Sequence, residues 1–217
     1  MILAASALLL GFALGAQDYN PTSTWPYLYR DFQDGTIYMT QGTKMIQKMN
    51  IHIVHDKLHY IDNGIIKEVV PADILMVEIG ADRFLSWNGA MYRIEAESDK
   101  GLVISSILTD LSELTETGGA YGSSSTSSAT TKLSSFEVEG QVNQNHMLIW
   151  ESRNEGADLR TKTTYYIKTP KTFAKATAKE IQNALPEEQK AGWKAWQKAH
   201  KVKWNKPESI VQVLELF

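Results

Sequence analysis

The sequence predicts a mainly β protein, α+β overall, with antiparallel hairpins followed by a small α-helical segment at the C-terminus. Three observations predict it. Turn dipeptides Asp34-Gly35, Gln41-Gly42, Asn63-Gly64 and Asn88-Gly89 punctuate short runs rich in Ile, Val, Met, Tyr and Phe, the pattern of strands joined by tight turns. Ten of the fifteen residues from Tyr121 to Ser135 are Ser or Thr, too little apolar material to bury. After Thr169-Pro170 the hydrophobic period changes from two to 3.6, which is the change from strand to helix.

In chain order, Ile2 to Ala16 is apolar apart from Ser6 and carries no charge. That is short of the ~20 residues a membrane span needs. With small residues at Ala13, Gly15 and Ala16 it reads as a secretory signal peptide over residues 1–16, although a basic n-region is missing. Residues 17–114 form the first β region. If His55-Asp56 is a two-residue turn, Ile53 faces Leu58 and Ile51 faces Tyr60 on one side, and His52 faces His59 on the other. The turn at Asn63-Gly64 then sets His59 against Glu68 and Tyr60 against Lys67. Further strands are expected at Ile74 to Ile79, Arg83 to Trp87, Met91 to Glu95 and Gly101 to Leu108.

Residues 115–135 are a loop or linker. Residues 136–170 hold strands at Phe136 to Val142, His146 to Glu151 and Leu159 to Lys168, which either extend the first sheet or form a second. In the basic segment 171–217, Thr177 and Glu180 have capping-box spacing for a helix ending near Leu185. Pro186 opens a second helix running to about His200, and Asn205 with Glu208 caps a third whose buried side carries Ile210, Val211, Val213, Leu214 and Phe217.

Charge and composition narrow the function. Residues 1–159 hold 10 Lys plus Arg against 20 Asp plus Glu, and residues 160–217 hold 12 against 5, so a formal −3 conceals an acidic body and a basic tail. A pI near 6.0 makes a nucleic-acid partner unlike this chain. There is no cysteine, which removes disulfides, thiol nucleophiles, Cys-rich zinc sites and a lipoprotein anchor together. The expected location is therefore periplasmic or extracellular, with no transmembrane span in the mature protein and an envelope protein or ligand as its partner.

The order of features resembles a group of secreted Bacteroidota proteins of no known function. Phe32-Gln33-Asp34-Gly35-Thr36-Ile37-Tyr38, Ala120-Tyr121-Gly122 before the Ser/Thr tract, Tyr165-Tyr166-Ile167 and Lys201-Val202-Lys203-Trp204-Asn205-Lys206-Pro207-Glu208 carry the resemblance. It implies export and no biochemical activity, and no functional residue is transferred by it.

His55-Asp56-Lys57-Leu58-His59 imitates the helical zinc motif H-E-x-x-H, but the alternation places it in a hairpin, where i and i+4 do not share a helical face. In the expected register His52, His59 and Glu68 instead form a row across three strands, and two imidazoles with a carboxylate can ligate zinc, iron or copper. The row would span about 10 Å, so the plainer reading is a polar sheet face with a His–Glu ion pair. Trp25, Tyr27, Tyr29 and Phe32 read as core or as a stacking platform for sugars or peptides. Lys190, Lys194 and Lys198 form an i, i+4 stripe, either solvated or facing an anionic surface, beside Trp193 and Trp196, which read as core. P-loop, dinucleotide, EF-hand and G-x-S-x-G patterns are absent from the sequence. The sequence thus points to a non-catalytic binding or structural protein without a cofactor. The alternatives are a metal-dependent protein built on His52, His59 and Glu68, and a binder of anionic surfaces.

Overall fold

The computed structural model describes residues 19–109 and 144–217. The leader at 1–16, the Ser/Thr tract and the strand expected at Phe136 to Val142 lie outside the described residues. Within them, one antiparallel sheet holds β1 (Gln33–Met39), β2 (Lys44–His52), β3 (Lys57–Asp62), β4 (Ile65–Glu68), β5 (Ile74–Ile79), β6 (Asp82–Trp87), β7 (Ala90–Ser98), β8 (Gly101–Thr109), β9 (Gln144–Asn145), β10 (Thr161–Lys168) and β11 (Phe173–Lys175). Their spatial order is β11-β10-β8-β7-β6-β5-β1-β2-β3-β4-β9. Thr164 pairs with Ser106 and Lys168 with Leu102, so the later strands extend the first sheet.

Three of the four turn dipeptides are turns. Asn63 and Gly64 have φ of 51° and 78°, and Asn88 and Gly89 have 50° and 80°, the left-handed pair that a type I′ hairpin demands. Asp34-Gly35 is not a turn but part of β1. A Cβ on Gly35 would stand 2.4 Å from the Glu78 carbonyl oxygen, so glycine is needed there for close approach of backbones.

The β2–β3 connection also departs from the two-residue turn. It spans Ile53 to Asp56, with Asp56 at φ 52°, and Ile51 pairs with Leu58 and Asn50 with His59. Tertiary bonds claim the groups a tighter hairpin would have paired. Ile53 N–H donates to the Pro26 carbonyl (2.9 Å), the Ile53 carbonyl accepts from Thr109 N–H (3.0 Å), and the Asp56 carbonyl accepts from Met91 N–H (3.0 Å). The register moves by two residues, which keeps every side chain on its expected face.

Those bonds bring the β2–β3 tip against the start of β7 and the end of β8. Strands β7-β6-β5-β1-β2-β3 thereby enclose a core that includes Ile37, Met49, Leu58, Val77, Phe84 and Met91. On the other face of β2 to β4 lies the segment from Tyr19 to Phe32, with Trp25, Tyr27 and Phe32 packed on Ile66. Its Thr-Ser-Thr stretch is clasped from behind. Thr22 and Thr24 hydroxyls donate to the Arg153 and Ser152 carbonyls at 2.9 and 2.8 Å, tying the segment to the turn those two residues form.

The expected strand at His146 to Glu151 is helix α1 (His146–Glu151), because Asn145 caps it by accepting from Met147 and Leu148 N–H. Thr177 caps α2 (Ala178–Ala184) as its spacing predicts. The second helix is split into α3 (Glu187–Lys190) and α4 (Trp193–His200) by Ala191-Gly192, glycine being a weak helix former. The third opens at Pro207 as α5 (Pro207–Ile210) and tightens into a 3₁₀ turn over Val211–Leu216, with Lys206 rather than Asn205 at the cap and no side-chain bond there. These helices cover β8, β10 and β11 through Trp193, Ile181, Ile210 and Leu214 on Val103 and Ile167.

Candidate functional site

The sequence-predicted row is one step displaced: Asn50, His59 and Glu68 lie abreast, and His52 stands diagonally, its ring centroid 5.0 Å from that of His59. This face is not open. His52 and His59 are each 2% exposed, because Tyr27 lies over them, its ring 5.4 and 5.7 Å from theirs. The Tyr27 hydroxyl and His59 Nδ1 hydrogen-bond at 2.9 Å, and His59 Nε2 is 3.7 Å from Glu68 Oε2. A carboxylate on the Nε2 side holds the ring proton there, so Nδ1 accepts from Tyr27. His55, exposed, stacks on His52 at 5.4 Å. Among the described residues no three His, Asp or Glu side chains converge as metal ligands. Trp25, Tyr27 and Phe32 are core, while Tyr29, partly buried, donates to Asp82 Oδ2.

Burial pushes both imidazoles below their ordinary range; for His52 the neighbouring His59 and His55 add to the effect, and for His59 the Glu68 carboxylate opposes it. Glu68 is lowered in turn, chiefly by His59. Asp56 behaves oppositely. Burial against the end of β8 pushes its carboxyl up to about 6, and the hydrogen bond from the Ser106 hydroxyl, at 2.7 Å, opposes the shift.

These shifts set a stability profile with two limbs. The unfolded state binds more protons at the histidines, so their contribution is intact above about pH 6.5 and lost as pH falls below it. The folded state binds more at Asp56, so its contribution is present below about pH 4 and lost as pH rises through 6. Urea unfolding between pH 4 and 8 should therefore show that His59→Gln flattens the acid limb, and that Asp56→Asn raises stability at pH 8 but not at pH 4. An unchanged acid limb in His59→Gln would remove His59 from that account and leave His52 alone to carry it.

The lysine stripe is divided between helices. Lys190 binds its neighbour Glu187 at 2.6 Å, whereas Lys194 and Lys198 are exposed on α4. Trp193 is buried and Trp196 stacks on it at 5.6 Å.

A site that sequence reasoning missed lies on the sheet face opposite the C-terminal helices. Residues of β8 and β10 that share this face, Ser106, Leu108, Lys162, Thr164 and Tyr166, with Thr109 at the rim, line an open cleft of about 280 Å³. Tyr166 links it to a group of rings. It stacks on Phe173 (5.2 Å, 24°) and meets Tyr92 edge-on (5.5 Å), and Phe173 stacks on Trp87 (6.0 Å, 21°). Lys168 Nζ stands 3.8 Å from the Trp87 ring centre, a cation–π contact. Trp87 is 36% exposed. The period-two spacing of Lys162, Thr164, Tyr166 and Lys168 was the available signal; the pairing of β10 with β8 across more than fifty residues was not readable locally.

No family model, curated protein or solved structure matches the chain.

Proposed function

We propose that this is an exported, non-catalytic binding protein that holds a small ligand in the cleft between β8 and β10. The observation that carries this reading is the meeting, at Tyr166, of a polar cleft with partly exposed aromatic rings, the composition of small-molecule sites: apolar surface for contact area and a few polar groups for orientation. A binding role rather than catalysis is supported by the clustered titratable groups Tyr27, His52 and His59 being sealed from solvent. Export is supported by the leader-like residues 1–16 and the resemblance to secreted Bacteroidota proteins. No helix among the described residues is long and apolar enough to cross a membrane.

Saturation-transfer NMR against a panel of sugars, organic acids, amino acids and nucleosides tests the site. A ligand that binds the natural chain is expected to lose about tenfold or more in affinity in Tyr166→Ala, the scale of a central aromatic contact. If every panel ligand binds Tyr166→Ala as it binds the natural chain, the cleft is not the site.

A further inference from the structure

We infer that the ligand of this cleft is an acidic saccharide, a sugar chain bearing carboxylates. The inference rests on the cleft being the binding site, and three features of its walls carry it.

The first is the pattern of hydroxyls. Ser106, Thr109, Thr164 and Tyr166 supply four hydroxyl groups to one small cleft. Two have already given away their protons: Ser106 donates to Asp56 Oδ2 (2.7 Å) and Thr109 to the Arg160 carbonyl (3.2 Å). Toward the cleft these two can only accept, each with a lone pair remaining. Two fixed acceptors beside the Thr164 and Tyr166 hydroxyls, which can donate or accept, suit a ligand that offers both donors and acceptors, as sugar hydroxyls do. An apolar ligand would strip water from these groups and leave them unpaired, at a cost of ~1–3 kcal/mol each.

The second feature is the ring surface. Phe173 lies within 24° of the plane of Tyr166 and within 21° of that of Trp87. Rings so stacked hold one another in place, and of them Tyr166 lines the cleft. A C–H face of a pyranose meets that ring surface while its hydroxyls reach the polar walls.

The third is charge. Among the described residues that line the cleft, Lys162 carries a charge and none is a carboxylate. Beyond the rings stands Lys168, on the same side. The nearby acid is Asp56, which sits behind Ser106 and is 6% exposed. A site with cationic walls favours an anion, and a lysine–carboxylate contact is stronger than a neutral hydrogen bond. Lys162 and Lys168 both lie on β10 at positions of one parity, so their side chains share this face.

Titration calorimetry of the protein with tetragalacturonate and, separately, with the neutral maltotetraose distinguishes the possibilities. Tetragalacturonate is expected to bind, with affinity falling as salt rises. Lys162→Gln should weaken it by about tenfold, and Tyr166→Ala should abolish it, with circular dichroism confirming that both variants are folded. Equal binding of both sugars, indifferent to Lys162→Gln, would overturn the acidic class and leave the cleft intact as a sugar site. A Tyr166-dependent ligand from another chemical class would overturn the saccharide inference while leaving the binding reading standing. Should tetragalacturonate bind equally well to Tyr166→Ala and Lys162→Gln, the acid is held elsewhere and the inference falls.

Discussion

Trp193→Ala is expected to cost about 3–5 kcal/mol, the range for emptying a large aromatic site in a core. Trp193 is 2% exposed and belongs to the cluster that joins the C-terminal helices to the sheet through Val103 and Ile167. The helices that depend on it have little stability of their own: α4 has eight residues and α2 seven, below the length at which an isolated helix persists in water. Loss of the indole should therefore release the helical segment as a unit and uncover one face of β8 and β10. Urea denaturation followed by far-UV circular dichroism measures it. A loss below ~1 kcal/mol, with the helical signal intact, would show that the neighbouring Trp196 or Ile181 suffices.

Gly35→Ala should be the next most damaging, costing about 2–3 kcal/mol by forced overpacking. A Cβ there would fall 2.4 Å from the Glu78 carbonyl and 2.8 Å from Met49 Sδ. The methionine can swing aside, but the carbonyl belongs to β5, paired to β1, and moves only with its strand. Gly42→Ala is the control. Its Cβ would have nothing within 4 Å, yet φ is +83°, so that substitution should lose only about 1 kcal/mol of conformational preference. A Gly35→Ala loss no larger than that of Gly42→Ala would mean that the strands yield to the added methyl and that crowding does not make glycine necessary in β1.

Local chemistry was a good guide where a signal needs only its neighbours. Asn63-Gly64 and Asn88-Gly89 form the turns their positive φ preferences allow, Thr177 caps α2, and Glu68 pairs with His59 as alternation predicts. It misled where distant backbone intervened. Asp34-Gly35 has turn composition but is held in β1 by strands on both sides, and His55-Asp56 was opened into a longer loop by Pro26, Met91 and Thr109. His146 to Glu151 looked like a strand from its apolar run; a cap from Asn145, one residue earlier, made it a helix.

The histidines show the same division at the level of chemistry. Sequence placed His52 and His59 on one face of one hairpin, because side-chain alternation has a period of two and survives a register shift of two. Whether that face met water was outside its reach. Burial depends on what packs over the sheet, and only the tertiary structure lays Tyr27 across it. The cleft follows likewise from long-range pairing. By itself the sequence determined most strands from residue 44 to 109, the Asn-Gly turns, the helical C-terminus and the separation of acidic from basic charge, all of which arise from residues a few positions apart. Tertiary structure alone decided that β10 lies beside β8, that the imidazoles are sealed, and that Tyr166 and Lys162 share a cleft with Ser106. Those depend on contacts between segments more than twenty residues apart, whose closure is driven by the burial of the whole core rather than by any local pattern.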